Sequence, residues 1–334
     1  MKILTFGELL LRLEAPAGSR LFQKDYLNSS FCGAEANVAV SLANFENNVS
    51  YLTVVPNNEV GKAALQSLNY FGVDTLKSIL LDKGRMGLLY LERGFSQRPS
   101  KVIYDRQLSA ISLSTVDDYD FDRIFEDVKW FHITGITPAL SDSLQDVCLK
   151  ACEHAHKKGI TISCDLNFRS KLWNSEKASI VMGSIMKFVD VCIGNEEDAE
   201  KVLNIKSCDE DIARKYYSIA KQITKEYGTK VVAFSLRNSI NANINKWCGF
   251  LYQNGEPFVS KEYEIYVVDR VGGGDSFAAG IICGLIDGMS SQDIIEFATA
   301  ASCLKHTIEG DFSRFTKDEV FSLMNSDGNG RIKR

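Results

Sequence analysis

The 334-residue sequence contains few histidines and no pair of cysteines with Cys-x-x-Cys spacing, which argues against a zinc protein. It has four histidines and nine cysteines, but no Cys-x-x-Cys motif. Cys148 and Cys152 are spaced for one helical face, yet His154 and His156 do not complete a recognised zinc-binding spacing. Most cysteines lie in apolar segments, as expected for small buried side chains in a reducing compartment.

Long apolar segments are also missing. No segment has the length and apolar character needed to cross a membrane, and Glu8 and Arg12 interrupt the first apolar stretch, which argues against a signal peptide. The formal net charge of -5 argues against nucleic acid or an acidic membrane surface as the main partner. We therefore expect a cytoplasmic protein that acts on small molecules.

Two common nucleotide-binding motifs are absent. The pattern GxxxxGK[ST] does not occur, because EVGKAA at residues 59–64 lacks both the upstream glycine and the hydroxyl residue. The pattern GxGxxG does not follow the first predicted strand. The first absence argues against a P-loop (Walker A) nucleotide site, and the second leaves a dinucleotide oxidoreductase without support.

What the chain does contain is an alternation of apolar strand-like segments and amphipathic helical patterns. The predicted strands are residues 2–7, 50–55, 130–134, 161–165, 189–193 and 231–236. The predicted helices include residues 36–45, 143–157, 196–203, 211–227 and 276–286. This order predicts an α/β fold with a mainly parallel sheet covered on both faces, whose ligands bind at the carboxyl ends of the strands.

Two regions, at about residues 9–30 and 85–107, interrupt this alternation with hairpin-like strands. We interpret them as a small separate sheet that forms a lid over the site; a purely structural hairpin and a dimer contact are the alternatives. No linker or repeat divides the chain, so residues 1–334 are expected to form one domain. The polar stretch at residues 325–334 is expected to fray.

The most informative stretch is DRVGGGD, residues 269–275, between a predicted strand and a helix. Gly272, Gly273 and Gly274 lie at a helix N-terminus, where free N–H groups and the helix dipole favour an anion such as phosphate. On helix physics alone, Asp275 is best explained as the N-cap; a general base is the alternative. Asp269 is expected to hold the loop or to help bind a cation.

This stretch resembles the second signature motif of the ribokinase/PfkB family of sugar kinases, D-x-x-G-x-G-D. FCGAEANVAVSLANF at residues 31–45 resembles the first signature, and NEEDAE at residues 195–200 resembles the N-x-x-E motif associated with magnesium. GELLLRL, RPSKVIYDR, FHITGITPALS and CDLNFR resemble a subgroup that phosphorylates 2-keto-3-deoxy sugar acids. The resemblance extends over nearly the whole chain.

The resemblance implies a ribokinase-like, Rossmann-type three-layer sandwich with a small β lid, a homodimer or larger homo-oligomer formed through that lid, and transfer of phosphate from ATP to O6 of 2-keto-3-deoxygluconate. It implies that Asp275 is the base and that the three glycines form the anion hole. The implied sugar ligands are Gly33, Ala34, Asn37, Tyr90, Tyr104, Arg106 and Arg169. The implied nucleotide ligands are Asn167, Asn195, Ser235, Arg237, Ser239, Gly272 and Gly274.

Magnesium is expected at Asp198 or Glu197, and a monovalent cation such as K⁺ at Asp269. A sugar acid requires a fixed cation for its carboxylate, and Arg106 and Arg169 match subgroup positions. The sequence itself favours Arg169 over Arg106, because Arg169 follows the end of a predicted strand. The chain departs from the family pattern at Cys32, where glycine is usual, and at Asp198, where glutamate is usual. A fructokinase or other sugar kinase, and a non-catalytic sugar sensor, remain as alternative functions.

Overall fold

The computed structural model describes residues 1–326; the last eight residues, which include most of the predicted polar tail, lie outside the described part. The strands are β1 Lys2–Phe6, β2 Leu10–Glu14, β3 Asn28–Cys32, β4 Asn48–Leu52, β5 Val54–Pro56, β6 Ile79–Leu81, β7 Gly87–Glu92, β8 Lys101–Asp105, β9 Trp130–Thr134, β10 Thr161–Asp165, β11 Val191–Gly194, β12 Val231–Ser239, β13 Ile244–Gln253, β14 Glu256–Val259 and β15 Tyr263–Tyr266. The helices are α1 Ala34–Asn44, α2 Glu59–Asn69, α3 Phe121–Ile124, α4 Asp142–Lys157, α5 Ser175–Met186, α6 Glu196–Leu203, α7 Ile212–Tyr227, α8 Gly273–Ile286, α9 Ser291–Lys305 and α10 Lys317–Met324.

Within these residues, the main sheet has nine strands in the order β14-β13-β12-β11-β10-β9-β1-β4, with β15 paired to β13. The strands from β4 to β12 pair in parallel, and β13, β14 and β15 add an antiparallel edge. The parallel part brings the ends of β10, β11 and β12 to one edge of the sheet, where ligands of such folds bind.

Alternate residues of each strand of the main sheet point to opposite sides. Apolar side chains therefore emerge on both faces, and helices cover both. In β1, Leu4 and Phe6 join the cluster formed with α4, α5, α6 and α7. Ile3 joins the opposite cluster, formed with α1, α2, α8, α9 and α10. The expected three-layer α/β architecture is therefore confirmed.

The lid is also confirmed as a separate sheet. It has the order β3-β2-β7-β8, with β2 and β7 parallel and the two outer pairs antiparallel. Its strands come from the two predicted regions, although β3 extends to Cys32. The lid follows directly from β1 of the main sheet, so its first strand begins close to the carboxyl edge.

Two element predictions need correction. Residues 50–55 form two strands, because β4 pairs with β1 whereas β5 leaves the main sheet to pair with β6. The helix expected to begin at Ser276 begins at Gly273, within the glycine stretch. Ser290 caps α9, accepting a hydrogen bond from the Asp293 N–H at 3.2 Å. Among residues 1–326, no helix is long and apolar enough to cross a membrane.

Candidate active site

A cleft of about 750 Å³ lies between the lid and the carboxyl edge of the main sheet. The lid contributes Leu10, Leu89 and Val102, and the ends of β10 and β11 contribute Asp165 and Gly194. Most of the residues singled out in the sequence line this one cleft: Gly33, Ala34, Asn37, Tyr104, Arg106, Asn167, Arg169, Asn195, Glu197, Asp198, Ser235, Arg237, Gly272, Gly274 and Asp275.

The glycine stretch forms the floor of the cleft. Gly272 is the N-cap of α8 with φ 81°, a left-handed conformation that favours glycine. A Cβ on Gly272 would also lie 2.2 Å from the Asp311 carbonyl oxygen. A Cβ on Gly274 would meet nothing within 4 Å, because this residue faces the open cleft. In the first helical turn the N–H groups of Gly274 and Asp275 have no partner within the helix, so they are available to an anion, whereas the Gly273 N–H donates to the Arg270 carbonyl oxygen at 3.4 Å.

Asp275 is the third residue of α8, so its interpretation as the N-cap is wrong; Gly272 occupies that position. Its carboxylate accepts a hydrogen bond from Asn37 Nδ2, which lies 2.7 Å from Asp275 Oδ2. Removal from bulk water raises the pKa of Asp275 to about 7, and the Asn37 hydrogen bond opposes that rise. A carboxylate with this pKa is suited to accept a proton near neutral pH.

The end of the cleft below the lid contains an arginine held by a buried acid. Arg106 Nε donates to Glu8 Oε2 at 2.6 Å, and its guanidinium lies 5.1 Å from the centre of the Tyr104 ring. The other oxygen of Glu8, Oε1, is buried without a hydrogen-bond partner. This end of the cleft therefore presents a fixed cation, an aromatic ring and a free acceptor to a ligand.

Gly33 and Ala34 form the adjacent wall at the start of α1. A Cβ on Gly33 would lie 2.3 Å from the Glu8 carbonyl oxygen, so this position requires glycine. Cys32, the departure from the family pattern, is buried beneath the wall at 1% exposure. Burial raises the pKa of its thiol well above the usual value, which argues against a reactive cysteine.

Polar side chains at the opposite end of the cleft follow β10 and β11 or lie on β12 itself. Asn167 has a left-handed φ of 37°. Asn195 caps α6, with its Oδ1 accepting from the Asp198 N–H at 3.0 Å. Ser235 and Arg237 line the wall from alternate positions of β12. These residues extend the cleft away from the lid.

Two buried carboxylates lie between these ends. Burial, together with the charges of Asp198 and Asp275, raises the pKa of Asp165, and burial raises the pKa of Asp198 to about 6. The positive charge of Arg169 lowers the pKa of Asp165, of Asp198 and of Asp275. This charge therefore lies near the middle of the cleft. Carboxylate oxygens at a site of excess negative charge suit Mg²⁺. In the described part of the chain, no three acidic, histidine or cysteine residues group as a protein-only metal site.

Four expected site residues do not line the cleft. Tyr90 alternates with Leu89 and Leu91 on β7, so its side chain lies on the opposite face of the lid, 6.3 Å from the Phe22 ring. Ser239 is exposed beyond the end of the cleft. Gly273 packs beneath the anion-hole turn, where a Cβ would lie 2.3 Å from His306. Asp269 is buried at 2% exposure.

The sequence analysis missed four charged residues of this region. Glu8, Arg12, Asp165 and Lys305 are each less than 9% exposed. Asp165 had a signal, because it ends a predicted strand two residues before Asn167. For Arg12 and Lys305, the only signal in the sequence is a charged residue within an apolar segment. Arg12 Nη2 donates to Asp269 Oδ2 at 2.7 Å, so the carboxylate expected to bind a cation is paired with an arginine.

The fold and the site together define a class of protein. Residues 1–313 match the family model of the pfkB family carbohydrate kinases, and the chain belongs to this family.

Individual relatives refine this statement. The structure of 2-dehydro-3-deoxygluconokinase from Thermotoga maritima is 46% identical, with a TM-score of 0.95 and coverage of 98% of this chain and 100% of that chain. A 2-dehydro-3-deoxygalactonokinase from Haloferax volcanii is 31% identical over 96% of this chain and 95% of its own length. A putative ribokinase II from E. coli, solved in complex with ATP and Mg²⁺, shares the fold at 21% identity and a TM-score of 0.82, with coverage of 97% of this chain and 98% of that chain.

Proposed function

We propose that this protein transfers the γ-phosphoryl group of ATP to O6 of 2-keto-3-deoxygluconate (2-dehydro-3-deoxygluconate). One observation carries the proposal. A carboxylate with a pKa of about 7, Asp275, directly follows an open helix N-terminus in a cleft whose other end contains a fixed arginine. This arrangement supplies a base, an anion site and a partner for a sugar carboxylate in one cleft.

In the proposed mechanism, Asp275 accepts the proton of the attacking O6 hydroxyl. The Asn37 N–H that donates to its carboxylate fixes the position of the carboxylate. Asn37 Oδ1 is buried without a partner, so it is available to a sugar hydroxyl. The amides of the first turn of α8 stabilise negative charge on the transferred group, where most of the catalysis of phosphoryl transfer resides.

The nucleotide occupies the end formed by Asn167, Asn195, Ser235 and Arg237 in this proposal. Asp165 and Asp198, with Glu197 at the rim, fit a magnesium ion because two buried carboxylates with raised pKa are stabilised by a divalent cation. When bound with ATP, magnesium supplies charge neutralisation at the phosphates. Asp198 replaces the usual glutamate, and its Oδ1 already accepts from the Phe168 N–H at 2.9 Å. The shorter acid therefore has its other oxygen for the ion or for an ion-bound water.

The sugar acid binds below the lid, with Arg106 and Arg169 as cationic partners. Glu8 fixes the Arg106 guanidinium, so less rotamer entropy is lost when a carboxylate binds. Tyr104, Gly33 and Ala34 complete the pocket. The galacto epimer is a second candidate substrate, because the Haloferax volcanii relative is named for it.

The wider setting is also part of the proposal. The chain acts as one kinase domain, with the lid excluding water and its outer face forming a homodimer or larger homo-oligomer. Exposed aromatic residues on that face, Phe22 at 73% and Tyr26 at 61%, support such a contact.

All nine cysteines are free, which suits a cytoplasmic location. A K⁺ ion at Asp269 would compete with Arg12 for the same carboxylate.

The deciding experiment is ADP release from MgATP with a panel of 2-keto-3-deoxygluconate, its galacto epimer, fructose and ribose. We expect the highest kcat/KM with one of the two acids. Preference for fructose, or ATP binding without turnover of any sugar, would contradict the proposal.

A further inference from the structure

Six charged side chains form a cluster beneath the glycine turn, and of these only Asp311 lines the cleft. Arg12, at 0% exposure, donates to Asp269 Oδ2 and to Glu14 Oε2 at 2.7 Å each, and also to Asp311. Arg93 Nε lies 2.5 Å from Glu14 Oε1. The sixth member is Lys305, the last residue of α9, also at 0% exposure.

A monovalent cation does not fit at Asp269 in this cluster. Its Oδ1 accepts from the Val271 N–H at 3.1 Å. Its Oδ2 accepts from Arg12 and, at 3.2 Å, from the Gly310 N–H. Each oxygen therefore already has a donor. The acids around Arg12 raise its pKa further, so this guanidinium is permanently charged.

Lys305 is the unusual member, because its buried Nζ has no hydrogen-bond partner in the described structure. Its side chain runs beneath the anion-hole turn, where a Cβ on Gly272 would lie 3.2 Å from Lys305 Cε. Burial lowers the pKa of Lys305, and the negative charges of Asp269, Asp311 and Asp275 oppose that decrease. Burying an ammonium without a hydrogen bond is costly, so packing alone does not account for a lysine here.

Lys305 offsets part of the negative charge of the cluster. In their ionised forms, Arg12, Arg93 and Lys305 oppose Glu14, Asp269 and Asp311, and the exposed Glu309 also pairs with Arg93, at 2.9 Å. Without Lys305 the excess of negative charge below the turn that is to receive a phosphoryl group would be larger by one. In a buried, low-dielectric region such a charge acts strongly on a neighbouring anion.

We propose that Arg12 and Lys305 supply, as fixed side-chain charge, the positive potential that a monovalent cation would otherwise provide beneath the anion hole. Phosphoryl transfer by this protein is therefore independent of K⁺. Lys305 is a positioning residue, since it acts through the Gly272 turn without reaching the cleft. The inference rests on the proposed kinase function.

The test begins with the wild-type protein in KCl, NaCl or tetramethylammonium chloride at constant ionic strength, with ATP as its Tris salt. We expect kcat to agree within about twofold in the three salts, because no ion has to bind. We also expect the thermal midpoint to be the same in KCl and tetramethylammonium chloride. Activation by K⁺ of about fivefold or more, or a K⁺-specific rise in the midpoint, would overturn the inference.

Two substitutions sharpen the test. Lys305→Met removes the charge at similar volume, and we expect kcat to fall by about 10- to 100-fold while KM for ATP and sugar changes by less than about threefold. Lys305→Ala leaves space for an ion beside Asp269 and Asp311. We expect K⁺ or NH₄⁺ to restore part of its activity and raise its thermal midpoint, whereas tetramethylammonium, which is too large, does neither.

The matched control is Lys225→Met on α7, an exposed lysine, which should behave as the wild type. Unchanged kcat in Lys305→Met would contradict the inference. If neither Lys305 variant folds, the salt series on the wild-type protein still decides. Failure of the proposed function looks different: the wild-type protein would then release no ADP with any sugar acid in any salt, while its thermal midpoint would still report whether K⁺ binds.

Discussion

The two ends of the cleft hold their functional groups in different ways. At the end proposed to bind phosphate, backbone N–H groups and Asp275 belong to one helical turn, so a single short stretch of sequence builds them. At the sugar end, Arg106 comes from the segment after β8 and Glu8 from the segment after β1, and the lid brings them together. The phosphate end is therefore a local structure, whereas the sugar end depends on tertiary pairing and on strand register.

The largest expected effect is on kcat, and it tests the end of the cleft that is built by the first turn of α8. Asp275→Asn keeps the shape and the Asn37 contact region but removes the base, so we expect kcat to fall by about 10³-fold or more with sugar binding nearly unchanged. ADP release and calorimetric titration with the sugar measure the two quantities. Asp146→Asn, at an exposed position of α4, is the control. Full activity of Asp275→Asn would rule out the base assignment.

The next largest effect is on KM for the sugar acid, and it tests the end of the cleft below the lid. Arg106→Ala removes the cation and leaves Glu8 buried without its partner, so the site would repel a sugar carboxylate. We expect KM for the sugar acid to rise by about 10²-fold while KM for ATP stays within about twofold.

Arg123→Ala, an exposed change on α3, controls for loss of a surface charge. If Arg106→Ala left turnover of the acid unchanged, a neutral sugar such as fructose would become the better candidate substrate.

A smaller effect concerns the pKa of Asp275. Because the base must be ionised, kcat/KM of the wild type should rise with pH through about 7 and level off above it. Asn37 stabilises the charged form, so Asn37→Ala should move that midpoint upward, by about one unit. The pH profile of kcat/KM measures this. A midpoint near 4 in the wild type, or a downward shift in the variant, would contradict the assignment.

The smallest effect separates the two faces of the lid. Tyr104 lines the cleft and Tyr90 does not. We expect Tyr104→Phe to raise KM for the sugar by about threefold and Tyr90→Phe to leave it unchanged. The reverse result would show that the lid strand β7 has the opposite register in the working enzyme.

The same contrast explains what the sequence could predict. The main sheet and the helices around it follow from periodicity, and the anion site follows from glycines before a helix, because both are local patterns. Asp275 looked like a cap because the start of α8 was placed three residues too late. Tyr90 was placed in the site by the family resemblance, whereas the alternation of side chains along β7 puts it on the other face of the lid. Arg12 was missed because its partners Asp269 and Asp311 lie far away in sequence. Lys305 was missed because nothing in the sequence around it distinguishes a buried lysine from an exposed one.

The position of Arg12 has a consequence for how the lid moves. Arg12 lies in the middle of β2, an inner strand of the lid, yet its hydrogen bonds reach Asp269 and Asp311 on the main body. Turning the whole lid as a rigid plate would break these buried contacts, at a cost that such pairs make large. In the proposed closure over a substrate, β2 would therefore stay attached to the main body while the outer strands β3 and β8 move. The hinge would then run along the lid, between its strands, and the glycine turn would keep its surroundings.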